Sequence, residues 1–470
     1  MFEFIIEDAT VESFVGYHSE WNLGSPGGWD YQRLTQIIGK AVWEQINRIK
    51  PTNIELDFDH PYFSPVDGLV EILVEAHRSV SGQNAGLIAV VAEEETLADV
   101  TENINLAKRL DALDGIHGVL CAPHELELKD GVVCRQGQPV SVMFMDFNTD
   151  VLMALHRRQD LSPVLQAVKE HRVINPRGTE PFNVKSMFEV MTGPFKDRFH
   201  AEIVQRTPWT RQFYQRQTEG PKGETIDDLI DWTRRNWRDL VLKPERGYSG
   251  HGVRVGTVND DIDEAMNLAL TEGDYIVQEK IPLALWAEEI PSVQDEKIDL
   301  KRYQTDFRCL MGVEGLVGFV GRYGGVPTNV GSGGGFQPLA ILASDMPVRD
   351  AVDRINGTIM NMNVDDLLEV IEKQKKMAMD CDFTYLLGPV KIALRPRVIT
   401  TRQIDALKSY GQKMWADCLT LEKMWQTGQL DSMINIEEEE LAIARMNPWQ
   451  GSAAIIASDG LFGFGADPRE

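Results

Sequence analysis

The chain has 470 residues, 43% of them hydrophobic and 25% charged, with a formal charge of -25 at pH 7. That length allows two or three domains with their own cores. The acidic balance argues against nucleic acid or an anionic membrane as partner, while leaving room for a small anion in a locally basic pocket. No run of 18 apolar residues occurs and the opening Met1-Phe2-Glu3-Phe4 lacks the basic flank of a signal peptide, so an intracellular, cytoplasmic protein is expected. Cys121, Cys134, Cys309, Cys381 and Cys418 are scattered and contain no Cys-x-x-Cys pair. They read as small buried hydrophobes in a reducing compartment, not as a disulfide framework or a zinc site.

Residues 1–23 read as two short strands, 2–6 and 13–22, joined by a polar bend. A strand that opens at Met1 must pair with something distant in sequence. The second strand runs into Glu20-Trp21-Asn22-Leu23-Gly24-Ser25-Pro26-Gly27-Gly28. A carboxylate and a carboxamide two residues apart on a strand share a face, and the glycine-rich turn leaves room beside them. Hard oxygen ligands of this kind suit Mg²⁺, which takes one or two side chains and completes its shell with phosphate oxygens and water. An ordinary strand end with a Pro-Gly turn is the alternative.

A helix over 31–49, a strand over 53–58 and a helix over 66–80 follow. From residue 86 the texture alternates: a buried strand at 87–92, a helix over 96–113, a strand at 118–121, a hairpin of 125–128 with 132–135 around Lys129-Asp130-Gly131, and a third buried strand at 140–147. Such a small open α/β layer binds ligands beyond the carboxyl ends of its strands. After a helix at 161–169 comes Val173-Ile174-Asn175-Pro176-Arg177-Gly178, then a helix opened by 182–185. Residues 195–235, rich in Arg, Gln and Trp, give no assignable pattern.

At 239–256 an apolar strand ends in Lys243-Pro244, a loop holds Gly247, Ser249, Gly250 and Gly252, and a second strand leaves at Val253. Backbone N–H groups of such a loop can turn inward on an anion while the lysine adds a point charge. It is not a P-loop, because no Gly-x-x-x-x-Gly-Lys is present. A flexible hairpin with an exposed lysine is the plain reading of the loop alone, and His251 reads as a polar loop residue. An apolar strand lies at 275–279, Asp306-Phe307-Arg308 and 316–320 are further strands, and a second glycine-rich stretch spans 324–335. Helices are expected at 364–377 and 403–427, with the acidic run 437–440 on a solvated helix face. Residues 453–457 and 460–465 are strand-like.

Lys-Pro, then Gly-Tyr-Ser-Gly-His-Gly-Val, then Val-Gln-Glu-Lys-Ile about 30 residues on resembles the ATP-grasp superfamily, and Glu20-Trp21-Asn22 followed by Gly-Ser-Pro-Gly looks like that family's metal motif. The usual order puts Glu-x-Asn last; here it comes first. The chain therefore resembles the circularly permuted ATP-grasp proteins related to glutathionylspermidine synthase, loosely over its whole length and sharply at 20–28, 241–256 and 275–281. Such a permutation asks little physically where chain termini lie close together.

The resemblance implies an α/β (α+β) fold. Its expected parts are a metal-binding segment at 1–30, a substrate domain at 31–175 that is an open α/β layer, a subdomain with glycine loop and adenine hinge at 176–290, and a catalytic subdomain at 291–470. The first strand and the last segments of the chain should then lie side by side. By the same resemblance Lys243 contacts the α and β phosphates of ATP, and Lys185 is the earlier phosphate lysine, a helix-surface lysine being the alternative. The backbones of Gly247, Ser249, Gly250 and Gly252 cover the β and γ phosphates. Gln278, Glu279 and Ile281 line the adenine and ribose pocket. Glu20 and Asn22 hold Mg²⁺ with Glu7 or Asp8, between which the sequence does not decide. Arg308, Asn329 and Ser332, with the rest of the second glycine loop, lie near the reacting centre. The implied activity is a carboxylate–amine ligase joining an amino acid, peptide or polyamine through an acylphosphate. A phosphotransferase on the same scaffold and a nucleotide-binding regulatory protein are the other readings.

Overall fold

The computed structural model describes residues 16–247, 252–256, 261–282, 287–325, 328, 330–385, 388–452 and 456–462, with Ser332 and 456–462 as backbone only. Helices and several sheets are mixed along the chain.

The largest sheet has seven strands, in the order Tyr17–Asn22, Ile456–Phe462, Lys297–Gly312, Gly315–Gly324, Gly335–Phe336 and Lys391–Ile392, with Glu288–Gln294 paired to Lys297–Gly312. Along Tyr17–Asn22, residues 305–312 and Gly315–Gly324 both of its faces are largely buried, and period-two alternation sorts the side chains between them. Trp21, Phe307, Cys309 and Phe319 pack with Ile404, Leu407, Met414 and Trp425 of the helix Thr401–Gln426. Leu310 and Val320 point to the other side, against Trp29, Leu34, Leu69 and Ile72. The Thr401–Gln426 helix begins at a reciprocal capping box between Thr400 and Gln403, and Gly411 lets Met311 come in close: a Cβ there would sit 2.6 Å from its sulfur.

The strand carrying Glu20 and Asn22 pairs antiparallel with Ile456–Phe462, Tyr17 opposite Phe462 and Asn22 opposite Ala457. The early and late parts of the chain are thus neighbours, as the displaced Glu-x-Asn motif suggests; 2–6 lie outside the described residues. The last strand is one continuous element across the two expected segments, sandwiched between Tyr17–Asn22 and Lys297–Gly312.

A five-stranded sheet is ordered Ile116–Cys121, Gly86–Val91, Gln138–Met145, Val132–Arg135, Leu126–Lys129. Its first three strands are parallel and the hairpin strands antiparallel. A four-stranded antiparallel sheet, Arg254–Val255, Leu240–Pro244, Tyr275–Glu279 and Thr210–Gln212, carries the first glycine loop.

Three expectations need correction, and one unassigned region takes shape. The strand at 53–58 shrinks to Leu56–Asp57, because Asn53 takes a positive φ of 53° that breaks extended backbone. The helix expected over 96–113 is Thr101–Asp111, with Glu94–Thr96 in a separate 3₁₀ turn. Residues 182–185 do not open a helix; a 3₁₀ segment Arg177–Phe182 containing Pro181 precedes a short helix Met187–Thr192. The unassigned 195–235 holds Ala201–Arg206, the strand Thr210–Gln212 and the helix Leu229–Arg235, whose first turn is capped by the Asp228 carboxylate.

Candidate functional site

Three segments far apart in sequence meet at the end of the strand Tyr17–Asn22. Lys185 Nζ lies 3.9 Å from Glu20 Oε2 and donates to the Gly247 carbonyl at 3.1 Å. The Lys185 amide donates to the Glu245 carbonyl at 3.1 Å, so the lysine is fixed to the lysine-bearing strand at the root of the first glycine loop.

On that strand Val241 faces Gln278 and Lys243 faces Ile276. Lys243 and Gln278 are therefore diagonal neighbours on one sheet face, and the lysine ammonium donates to Gln278 Oε1 at 2.7 Å. Gln278 is oriented in turn by donating to Thr210 Oγ1 at 2.9 Å. Burial pushes the Lys243 pKa down to about 8, the Glu20 charge working against that shift and the Lys185 charge adding to it. Glu20, Lys185 and Lys243 thus share one electrostatic environment.

The glycine positions have steric reasons. Gly247 has a φ of 132° and Gly252 a φ of 72°, and a Cβ on Gly252 would sit 2.7 Å from the Tyr275 hydroxyl and 2.8 Å from Pro244. Ser249, Gly250 and His251 lie outside the described residues. Glu279, on the strand paired to the lysine strand, donates its amide to the Trp209 carbonyl at 2.8 Å. Burial raises its carboxyl pKa, and its Oε2 has no hydrogen-bond partner among the described residues. Ile281 is buried beside it in sequence.

Arg308 reaches the same N-terminal turn from the other direction: its guanidinium donates to the Gly27 carbonyl. Asp306, two residues earlier, is committed elsewhere. Arg322 grips it with two hydrogen bonds of 2.8 and 2.9 Å, and Thr328 Oγ1 donates to it at 2.7 Å. This anchors the start of the second glycine loop, where the described backbone makes a 3₁₀ turn Val330–Ser332 and Gly333 has a φ of 90°. Asn329 lies outside the described residues and Ser332 is described only by its backbone.

Glu20 and Asn22 are both half-buried and lie two residues apart on one strand. Two hard oxygen donors beside two lysines suit a Mg²⁺ that borrows the remainder of its shell from phosphate. Glu7 and Asp8 lie outside the described residues, and among the described residues no group of three His, Cys, Asp or Glu side chains is placed to hold a metal ion.

Sequence reasoning passes over several residues that shape the site. Thr210 sits in a strand of three residues, too short to reveal a period. Glu102 caps the helix Trp29–Ile49 from outside, accepting the Gly28 amide on both oxygens at 3.0 and 2.9 Å; its burial raises its pKa to about 8. Asn175 and Arg177 stand in a conspicuous Asn-Pro-Arg triplet that offers no chemistry of its own.

No family model matches the chain, and neither does any curated protein. Among the described residues no helix is long and apolar enough to cross a membrane.

Proposed function

We propose that the chain is an ATP-dependent carboxylate–amine ligase on a circularly permuted ATP-grasp scaffold, working in the cytoplasm. The observation that carries this reading is the meeting of Glu20 with Lys185 at the Gly247 carbonyl, with Lys243 in the same electrostatic environment. Three sequence-distant charges around a glycine loop are what a triphosphate needs and what a plain hairpin would not assemble.

In this reading Lys243 and Lys185 neutralise the phosphates, the loop 247–252 covers them, and Gln278, Glu279 and Ile281 line the adenine and ribose pocket. Gln278 also keeps the Lys243 ammonium oriented. Glu20 and Asn22 would hold Mg²⁺, which supplies charge neutralisation on the β and γ phosphates when bound. A substrate carboxylate oxygen attacks the γ phosphorus in line and the bond to the β-phosphate oxygen breaks, leaving an acylphosphate and ADP. The amine nitrogen then attacks the acyl carbon, phosphate departs with the carbon–oxygen bond pair, and the nitrogen loses its proton to phosphate or water. Arg308 and the backbone N–H groups of the second glycine loop, with Asn329 and Ser332, stabilise the oxyanion between these steps.

The experiment is a screen of ADP and phosphate release across amino acids, small peptides and polyamines with Mg²⁺. Release that requires an amine supports the ligase. A stable phosphorylated product would make the enzyme a phosphotransferase instead, and binding of ATP without turnover on any substrate would leave a nucleotide-binding protein.

A further inference from the structure

The turn that follows Glu20 and Asn22 lacks the ladder hydrogen bonds of the strand, so its buried backbone groups need other partners. Side chains from 175–183 supply them. The Leu23 amide donates to Asn183 Oδ1 at 2.9 Å, and Thr179 Oγ1 donates to the Leu23 carbonyl at 2.9 Å. The Gly24 carbonyl accepts from Asn175 Nδ2 at 2.8 Å and from Arg177 Nη2 at 3.5 Å. Asn175, Arg177 and Thr179 are fully buried.

The same side chains also grip the open α/β layer. Asn175 Nδ2 donates to the Met145 carbonyl at 2.7 Å while its Oδ1 accepts the Met145 amide at 3.1 Å. Arg177 Nη1 donates to the Phe147 carbonyl at 3.0 Å. Met145 ends the third parallel strand of that layer. Two residues beyond Asn183, the segment delivers Lys185 to Glu20 and Gly247.

We propose that Asn175, Arg177, Thr179 and Asn183 are positioning residues for the cation-binding pair Glu20 and Asn22, setting the angle at which that strand presents its two oxygens. The proposal rests on the metal reading of Glu20 and Asn22 given above. The physical reason is geometric tolerance: Mg²⁺ demands near-ideal octahedral ligands, and a displacement of about 1 Å in a positioned group can cost about a hundredfold in rate. Glycine at 24 and 27 makes the turn pliant, and four distant side chains remove that freedom.

The test uses the full chain with Asn183→Ala and Thr179→Val, each paired with its conservative variant, Asn183→Asp or Thr179→Ser, which keeps the acceptor or the hydroxyl. Mn²⁺ binding in the presence of ATP is followed by the paramagnetic resonance of the free ion, and ATP affinity is measured separately in EDTA. The two removing variants are expected to raise the Mn²⁺ midpoint about tenfold while metal-free ATP affinity stays within about twofold, and the conservative variants to restore the midpoint. Folded removing variants with the wild-type midpoint would overturn the positioning role, as would equal losses of Mn²⁺ and metal-free ATP affinity. A wild-type chain that takes up no Mn²⁺ with ATP would instead overturn the metal reading beneath it.

Discussion

Burial pushes the Lys243 pKa down to about 8, with the Glu20 carboxylate and the Lys185 ammonium acting on it in opposite senses, and this makes it a titrating group in an accessible range. The unbound protein loses that proton as pH rises past about 8, whereas a bound polyphosphate favours the charged form. ATP affinity is therefore expected to weaken between pH 8 and pH 10, with proton uptake on binding, measured by calorimetry in two buffers of different ionisation heat. Lys243→Arg, which stays charged, should flatten the dependence. Glu20→Ala should lower ATP turnover at least a hundredfold, roughly the loss seen when one preorganised charge-stabilising group is removed, with the thermal midpoint essentially unchanged. Unaltered turnover would end the metal assignment. Glu102 bears on stability instead. Its carboxyl is raised from 4.5 to about 8 by burial, so the folded chain holds a proton there that the unfolded chain releases. Its contribution to stability is full below about pH 4.5 and is lost as pH rises through about 8. Denaturant melts from pH 5 to 8 should show this decline, and Glu102→Gln should reduce its slope.

The elements owe their ends to a few special backbone positions. Gly28 takes a φ of 100° directly before the helix Trp29–Ile49, and its amide is the one held by both Glu102 oxygens. Gly28→Ala forces a side chain into left-handed backbone and brings a Cβ to 3.3 Å from Val320. We expect a loss of about 1–2 kcal/mol in urea unfolding. The long helices were legible because their apolar spacing persists for several turns, as from Leu34 through Ile38, Val42 and Ile46. The lysine strand and its glycine loop were legible because a contiguous run of residues spells them. Thr210–Gln212 and Gly335–Phe336 are too short to alternate visibly, and the grip of Asn175 and Arg177 on Gly24 joins positions about 150 residues apart that no local pattern links. Asp306 illustrates the converse: its motif was visible, but only the fold reveals that Arg322 and Thr328 already occupy it.

At the scale of the whole molecule, the pairing of Tyr17–Asn22 with Ile456–Phe462 means that a chain re-opened elsewhere should still fold. Joining residue 470 directly to residue 1 and cutting between Asp130 and Gly131, an exposed turn at the edge of the five-stranded sheet, should yield a soluble protein. Its melting temperature should lie within about 5 °C of the parent, since new ends are tolerated best at such tips. Failure to melt cooperatively would count against the permuted arrangement.

That pairing also sets an order of assembly during synthesis. The four-stranded sheet bearing the glycine loop draws only on residues 210 to 279 and can close while the rest of the chain is still being made. The strand bearing Glu20 and Asn22 is made early, yet its paired strand, Ile456–Phe462, is made only after every other described element. The sheet position of that strand is therefore completed late, whereas its contacts with 175–185 do not depend on the last strand. In the proposed reading, the lysine-and-loop half of the site is built before the strand pairing that completes the other half, and premature termination would leave that pairing unmade.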